Sequence, residues 1–511
     1  MLVMLAAHAT TGDFFYTSIA LNLLLTAATL VIVGFRLARS PDLASLALAA
    51  LFVSRAFLDY ATGGLENPLA HLLLACLLWM LCDDVAPTAG RMFGLSIVAA
   101  LLMTTRLDLA ILVAPLCAQA LWRRRTGSAL LAAALGLLPL VAWEIFSLFY
   151  YGFLFPNTAY AKLGTGLSRL DMARHGLEYL VASLRLDPPT LPFIAAEVFF
   201  GLRSPARVDR AAGVGIVLYL AYIVAVGGDF MNGRFLTAPL LVAVVLLGRA
   251  SIDGRLAVPL ACALAVVFSL LPPTSPFRLE PDYPAGLEAP TLDRFGIADE
   301  RVVYEEGGWL RNAPAEGPWP NPSSYRQARE ILGNWADATW VPSLKFFGLM
   351  DENEYWPFLP PGPIDQSPLK PVIPRAAVGV LGFHLGARIH ILDFLALGDP
   401  LLARMPALPV DPMLPTLYPR FKDLKYRVGH YPRRIPLGYY ETLVKGKNLI
   451  RDPDLAAFYD HLAFIIQGPL WDRARLVEIW RMNTGRYDRL LREAVRRQPQ
   501  TVPAPVNPPP P

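Results

Sequence analysis

The stretch FYTSIALNLLLTAATLVIVGF, Phe15–Phe35, followed at once by RLAR, Arg36–Arg39, decides how the rest of the chain is read. It runs for about twenty residues without a charge, the length a helix needs to cross the hydrocarbon of a bilayer, and it ends on cations. Comparable apolar blocks follow at Leu43–Leu58, Leu69–Cys82, Met92–Thr105, Leu109–Trp122, Leu130–Phe149, Thr190–Leu202, Ala211–Val226, Phe235–Gly248 and Leu256–Leu271. About ten crossings are therefore expected. Backbone that is not helical is costly in lipid, so the gaps between blocks belong at an interface or inside protein.

Over all 511 residues, 54% are hydrophobic and 17% charged, and the mean hydropathy is +0.40; a soluble chain usually carries about 25% charged residues. These averages join two unlike regions. Residues 1–271 hold the apolar blocks, residues 272–498 mix charges, prolines and tryptophans without a long apolar run, and 499–511 is a proline-rich tail expected to stay extended. The fold class expected is a polytopic α-helical membrane domain followed by a water-facing α/β domain. A net charge of +4 and the lack of RNP, zinc-finger or basic-helix patterns exclude a nucleic-acid partner. Cys76, Cys82, Cys117 and Cys262 all sit in apolar blocks, which argues against disulfides and cysteine metal sites.

Cations orient the blocks. Alternate gaps carry Arg36 and Arg39; Arg91; Arg123, Arg124 and Arg125; Arg203, Arg207 and Arg210; Arg249 and Arg255. The other gaps hold only Arg106, Lys162, Arg169, Arg174, Arg185 and Arg234. Short arginine-rich loops stay in the cytoplasm, so the first set faces inward and the C-terminal region faces outward, beyond the plasma (inner) membrane. The same parity puts Met1 outside. Because Met1–Asp13 has no Lys or Arg, a preceding helix and outer loop are expected in the complete protein; the plainer alternative is an authentic outer start with residues 1–14 as a short tail.

Four outer gaps collect the polar chemistry: DYATGGLENPL (Asp59–Leu69), TRLD (Thr105–Asp108), YYGFLFPNTAYAKLG (Tyr150–Gly164) and GGDFMNGR (Gly227–Arg234). Ionisable groups near membrane depth are expensive and deserve a functional hypothesis. A lipid-linked sugar donor would present its phosphate there, and Arg106, Lys162 and Arg234 are the cations that could stabilise it as it leaves. Asp59, Glu66, Asn67, Asn157, Asp229 and Asn232 are the residues that could shape a sugar pocket, and Asp108 and Asp229 are weak candidates for a catalytic base. Plainer readings stand beside these. Arg106 and Asp108 could form only an interfacial ion pair, Lys162 could reach lipid phosphates, and Asn67 and Asn157 could be turn residues next to prolines.

Those motifs resemble the membrane arabinofuranosyltransferases that add terminal β-1,2 arabinose to mycobacterial cell-wall arabinan, and more broadly the GT-C class of polytopic glycosyltransferases. Weaker likeness continues at HILDFLALGDPLLARMP and RVGHYPRRIPLGY. The resemblance implies a polyprenyl-phosphate sugar donor, inversion at the transferred sugar and a glycan acceptor outside the membrane. It also implies a catalytic aspartate in the first outer loop, upstream of Met1, so no base is carried over to a residue of this chain. Two other functions stay open: a noncatalytic protein that binds or translocates a glycolipid, and an enzyme of the same class with a hexose donor.

In the outer region, Ala376–Leu381 and Ile389–Leu395 are short apolar stretches, and Asp454–Ile466 and Leu476–Arg497 look helical. Trp309, Trp319, Trp335, Trp340, Trp356, Trp471 and Trp480 could stack on sugars, although core packing is the commoner use. The run Arg420, Lys422, Lys425, Arg427, Arg433 and Arg434 could touch headgroups or an acidic glycan, or simply be solvated. His384, His390 and Asp393 match no recognised ligand spacing, so no metal site is assigned, and a divalent cation is left as the one possible cofactor.

Overall fold

The computed structural model describes residues 2–82, 87–249, 254–272, 275, 277, 295–300, 322–333, 347–351, 371–376, 378–414 and 424–497. The tail 499–511, Trp309, Trp319, Trp335, Trp340, Trp356, Arg420 and Lys422 lie outside the described residues. The chain divides into two compact units, one of Met1–Trp143 with Arg169–Val303, the other of Glu144–Ser168 with Tyr304–Pro511. This division is not the linear one drawn from hydropathy. Composition marks where a segment is apolar, but not which body it packs on, and residues 144–168 pack with the C-terminal region.

The described residues of the first unit form helices joined by loops, with one isolated bridge between Met231 and Ala298. Three of its helices begin on side-chain caps: the hydroxyls of Ser40, Thr88 and Thr126 accept from the amides of Leu43, Arg91 and Ala129 at the starts of Pro41–Val53, Ala89–Thr105 and Gly127–Gly136. Helix Thr237–Leu247, TAPLLVAVVLL, is buried on every side and forms the middle of the unit. Close helix crossings use glycine, as where a side chain at Gly176 would run into the Val224 backbone and one at Gly215 into the Leu112 carbonyl.

Helix Phe15–Ile32 is arranged for an apolar solvent. Its buried residues are Phe15, Thr17, Asn22, Thr26 and Thr29, whereas Leu23, Leu24 and Val31 face outward. In water that polarity would be reversed. By length and composition, Phe15–Leu37 and Arg207–Val226 can each cross a membrane, and the pair Gly127–Gly136 and Leu138–Tyr150, bent by 42°, passes the same test together. The other apolar blocks are helices of 10–17 residues. The block expected over Leu43–Leu58 is broken: Ser54 is extended, and a short helix, Arg55–Asp59, restarts after it. Ser54 caps the restart by accepting from the Phe57 amide at 3.2 Å, and the Asp187 carboxylate accepts from the amides of Arg55 and Ala56 at 3.0 and 2.8 Å.

The second unit mixes helices with a two-stranded parallel sheet, Val372–Arg375 beside His390–Asp393, with Val372 opposite His390. Helix Gly379–Leu385 connects the strands, so the apolar run from Ala376 opens a helix. Helices Tyr439–Lys445, Pro453–Gln467, Arg473–Asn483 and Asp488–Arg497 complete it, the last two separated at Gly485, whose φ is +78°. Phe394, Tyr439, Tyr440, Leu455, Phe458 and Leu462 are in its core. Arg375, Arg433 and Arg475 are buried in the same unit. Arg433 donates to the carbonyls of Met405, Tyr431 and Ala161, and Arg475 to those of Ile465, Phe149 and Tyr150.

Candidate active site

The GGDFMNGR loop of the first unit is held by backbone conformations that only glycine adopts without strain. Gly227, Gly228 and Gly233 have φ of +87°, +75° and +75°; a side chain at Gly228 would meet the Tyr179 ring, and one at Gly233 the Cβ of Ala56. Between these glycines, Phe230–Asn232 pair with Ala298 through Ala298 N to Phe230 O at 2.6 Å and Asn232 N to Ala298 O at 3.1 Å. Two phenols fix the loop further. Tyr60 donates to the Asn232 carbonyl at 2.9 Å, and Tyr179 donates to that of Met231 at 3.1 Å while accepting from the Phe235 amide. Asp229 and Arg234 are thus placed rigidly.

Around this loop the structure brings together most of the residues singled out from the sequence. Arg234 Nη2 donates to Glu66 Oε1 at 2.8 Å, and its Nη1 lies 3.5 Å from Asp229 Oδ2. Arg106 Nε lies 4.0 Å from the same Glu66 oxygen. Two guanidiniums therefore converge on one carboxylate oxygen. Arg106 also grips Asp108 through Nε and Nη2, at 3.2 and 2.6 Å, and donates to Tyr219, whose hydroxyl in turn donates to Asp108 at 2.5 Å. The Phe235 ring lies 5.4 Å from the Arg106 guanidinium carbon. Asn67 is fully buried and donates to Thr237 Oγ1 at 3.0 Å.

The electrostatics follow from burial opposed by these cations. Burial by itself would raise the Glu66 carboxyl, but Arg234 and then Arg106 bring it below its ordinary value. Burial raises Asp108 as well, and Arg106 with Tyr219 reverses that. Beside this network lies a second ion cluster. Arg55 pairs with Asp59 at 3.0 Å and with Asp299, the residue after the Ala298 bridge. Asp187 is raised by burial and saturated by Ser54, Thr190 and two amides, which makes it a structural cap.

Several buried polar atoms at the site have no hydrogen-bond partner among the described residues: Asn67 Oδ1, His71 Nε2, Asn232 Oδ1 and Arg234 Nε. Buried groups of this kind are normally satisfied, so a polar ligand or water is the partner to expect. No group of three or more His, Cys, Asp or Glu is arranged to hold a metal among the described residues.

Asn157 and Lys162 lie elsewhere. Both are on helix Asn157–Leu163 of the second unit, where Asn157 Nδ2 donates to the carbonyls of Ala396, Leu397 and Asp399 at 3.1–3.2 Å. Burial, then Arg427, then Lys162 pull the nearby His430 imidazole down to about 3. Arg55, His71, Tyr179, Tyr219 and Asp299 take part in the site without having been singled out in the sequence. Arg55 carried a usable signal, a lone cation inside the apolar block Leu43–Leu58.

No protein-family model matches the chain, and no solved structure matches it. Among curated proteins it is similar to the terminal β-(1→2)-arabinofuranosyltransferase of Mycobacterium tuberculosis, 28% identical over 404 residues, covering 68% of this chain and 61% of that relative. The enzyme of the same name from Corynebacterium glutamicum is 33% identical over 133 residues, 23% of this chain and 19% of that relative. The chain thus spans about 61% of the mycobacterial protein's length. The chain is thus homologous to a terminal β-(1→2)-arabinofuranosyltransferase over 68% of its own length.

Proposed function

We propose that this chain is a polytopic membrane glycosyltransferase of GT-C architecture that moves arabinofuranose from a polyprenyl-phosphate donor to a glycan at the cell surface. The observation that carries this reading is the convergence of Arg106 and Arg234 on a single oxygen of Glu66, a loop carboxylate whose side chain is 29% exposed. An oxygen of the donor phosphate can take that place. In the reaction the bond from the sugar anomeric carbon to the phosphate oxygen breaks, and the acceptor hydroxyl oxygen bonds to that carbon from the opposite face. The hydroxyl proton passes to a carboxylate, and polyprenyl phosphate leaves with the added negative charge. Fixed guanidiniums stabilise that charge as it develops.

Of the carboxylates within this chain, Asp229 is better suited than Asp108 to take the proton. Asp108 accepts from three donors, whereas Asp229 accepts from the Phe230 amide and stands 3.5 Å from Arg234. Asn67, Asn232 and Asp59 would border the sugar, and the unpartnered amide oxygens of Asn67 and Asn232 can accept from its hydroxyls. The alternation of arginine-bearing turns supports about ten crossings of the plasma membrane with the C-terminal unit outside. Short helices can cross where the bilayer thins or flanking cations reach outward.

The test is transfer by the full chain in nanodiscs, supplied with radiolabelled polyprenyl-phosphate arabinofuranose and an arabinan acceptor. Labelled acceptor should form with the wild type and be lost in R234A. Donor binding without transfer, or a preference for a hexose donor in competition, would overturn the assignment.

A further inference from the structure

The second unit exposes an aromatic helix face that the chemistry above does not use. Trp471 is 83% exposed and Trp480 71%. Leu476, Val477 and Trp480 lie on one side of helix Arg473–Asn483, since residues three and four apart share a face, and all three are exposed. The opposite side holds Arg475 and Ile479, both buried. Arg473, one turn before Val477, opens the same side, and Arg481, paired with Glu478 at 2.8 Å, and Arg486 are on the surface near its C-terminal end.

What covers this face is indicated by what the helix is fastened to. Arg475 donates to the carbonyls of Phe149 and Tyr150, which end helix Leu138–Tyr150, at 2.8 and 2.9 Å. Asn483 donates to the Gly152 carbonyl at 2.8 Å, and the rings of Trp471 and Phe149 are 4.7 Å apart. Gly152 has φ of +84°, and a side chain there would collide with Ile465, so the junction is close-packed. Helix Leu138–Tyr150 is half of the bent pair apolar enough to cross a bilayer. The end of such a helix sits at the level of lipid headgroups, where tryptophan and arginine are favoured. Exposed aromatics bolted to that end are carried to the same depth.

We infer that helix Arg473–Asn483 lies in the membrane interface, with Trp471, Leu476, Val477 and Trp480 entering the headgroup and upper acyl region of a phospholipid bilayer. This rests on the membrane reading of helix Leu138–Tyr150 and is independent of the sugar chemistry. A short amphipathic helix with aromatic and aliphatic residues on one side and arginines at its border is suited to that position.

The experiment uses the full chain in phosphatidylcholine nanodiscs whose acyl chains are brominated near the headgroup, with aqueous iodide as the competing quencher. Wild-type tryptophan emission minus that of W480F, and separately of W471F, isolates the contribution of each indole; both side chains are so exposed that phenylalanine leaves the fold unchanged. The Trp480 component should lose at least half its intensity in brominated lipid and change by less than a fifth with iodide, a contrast the depth of burial in lipid would produce. Quenching by iodide alone would mean a water-facing surface and would overturn the inference. Protection from both quenchers would mean that a second copy or another protein covers the face, which overturns it as well. W143F supplies the control: Trp143 lies on the same apolar helix, and if its component also ignores brominated lipid, the membrane reading itself has failed.

Discussion

Buried and partly buried arginines are used in opposite ways by the two units. In the first, Arg55, Arg106 and Arg234 face carboxylates, namely Asp59 and Asp299, Asp108 and Glu66, and Glu66 and Asp229. In the second, Arg433 and Arg475 face backbone carbonyls from distant parts of the chain. A carbonyl cannot leave its place without unfolding something, so a guanidinium held by three of them is a structural rivet. A side-chain carboxylate can rotate away. The same residue type therefore marks a replaceable counter-ion in one unit and a fixed joint in the other.

The sharpest way to break this contrast is to remove one arginine from each. R234A should lower sugar transfer by about 10²–10³-fold, the usual cost of deleting one group that stabilises developing charge, while R234K should recover part of the loss. Initial rates with saturating acceptor measure this. Unchanged turnover in R234A would remove the phosphate role. R433A should do the reverse. Three carbonyls lose a charged donor at once, and roughly 3 kcal/mol or more of the second unit's stability should go with them, read as faster hydrogen exchange in helix Tyr439–Lys445. Transfer per folded molecule should stay near the wild-type value.

A third test concerns a carboxylate of the second unit whose hydrogen bonds come from amides and a phenol. Asp399 is buried and accepts from the amides of Leu401 and Leu402 and from the Tyr439 hydroxyl; burial pushes it from 3.8 up to about 6 in spite of those bonds. An acid whose value is raised by folding binds more protons folded than unfolded between those two limits, so stability is greatest below 3.8 and falls as pH rises toward about 6. The fall should be about 2–3 kcal/mol, and D399N should flatten that part of the profile. Chemical denaturation followed at pH 4 and pH 6.5 compares the two. The smallest effect belongs to E66Q. Without its negative charge the Arg106 and Arg234 pair should bind inorganic phosphate or donor about threefold more tightly, a change of under 1 kcal/mol. Weaker binding in E66Q would mean that Glu66 orders the arginines and does not compete with the ligand.

Glu66, Arg106, Asp108, Asp229 and Arg234 were readable because each lies in a polar gap beside an apolar block, and hydropathy isolates such gaps. Tyr219 and His71 were not, because aromatic and imidazole groups inside an apolar helix look like core until the facing helix is known. Asp299 reaches Arg55 across more than 200 residues of sequence, a pairing that no local period reveals. Asn157 and Lys162 were grouped with the other polar gaps by side of the membrane alone. Sidedness cannot tell which body a loop packs against, and theirs packs with the second unit. At the helix break Ser54 is a local cap, but the carboxylate that takes the first two amides of the restart arrives from residue 187, beyond the reach of any local period.

The shared oxygen of Glu66 bears on how a catalytic cycle would end. Arg106 and Arg234 keep Asp108 and Asp229 as further partners, and on the proposed chemistry the Glu66 oxygen they share is the counter-ion that a phosphate would displace and then give way to. With that acidic side chain on a short tether, departure of such a carrier would cost little, because the vacated charge would be answered within the protein as the phosphate left.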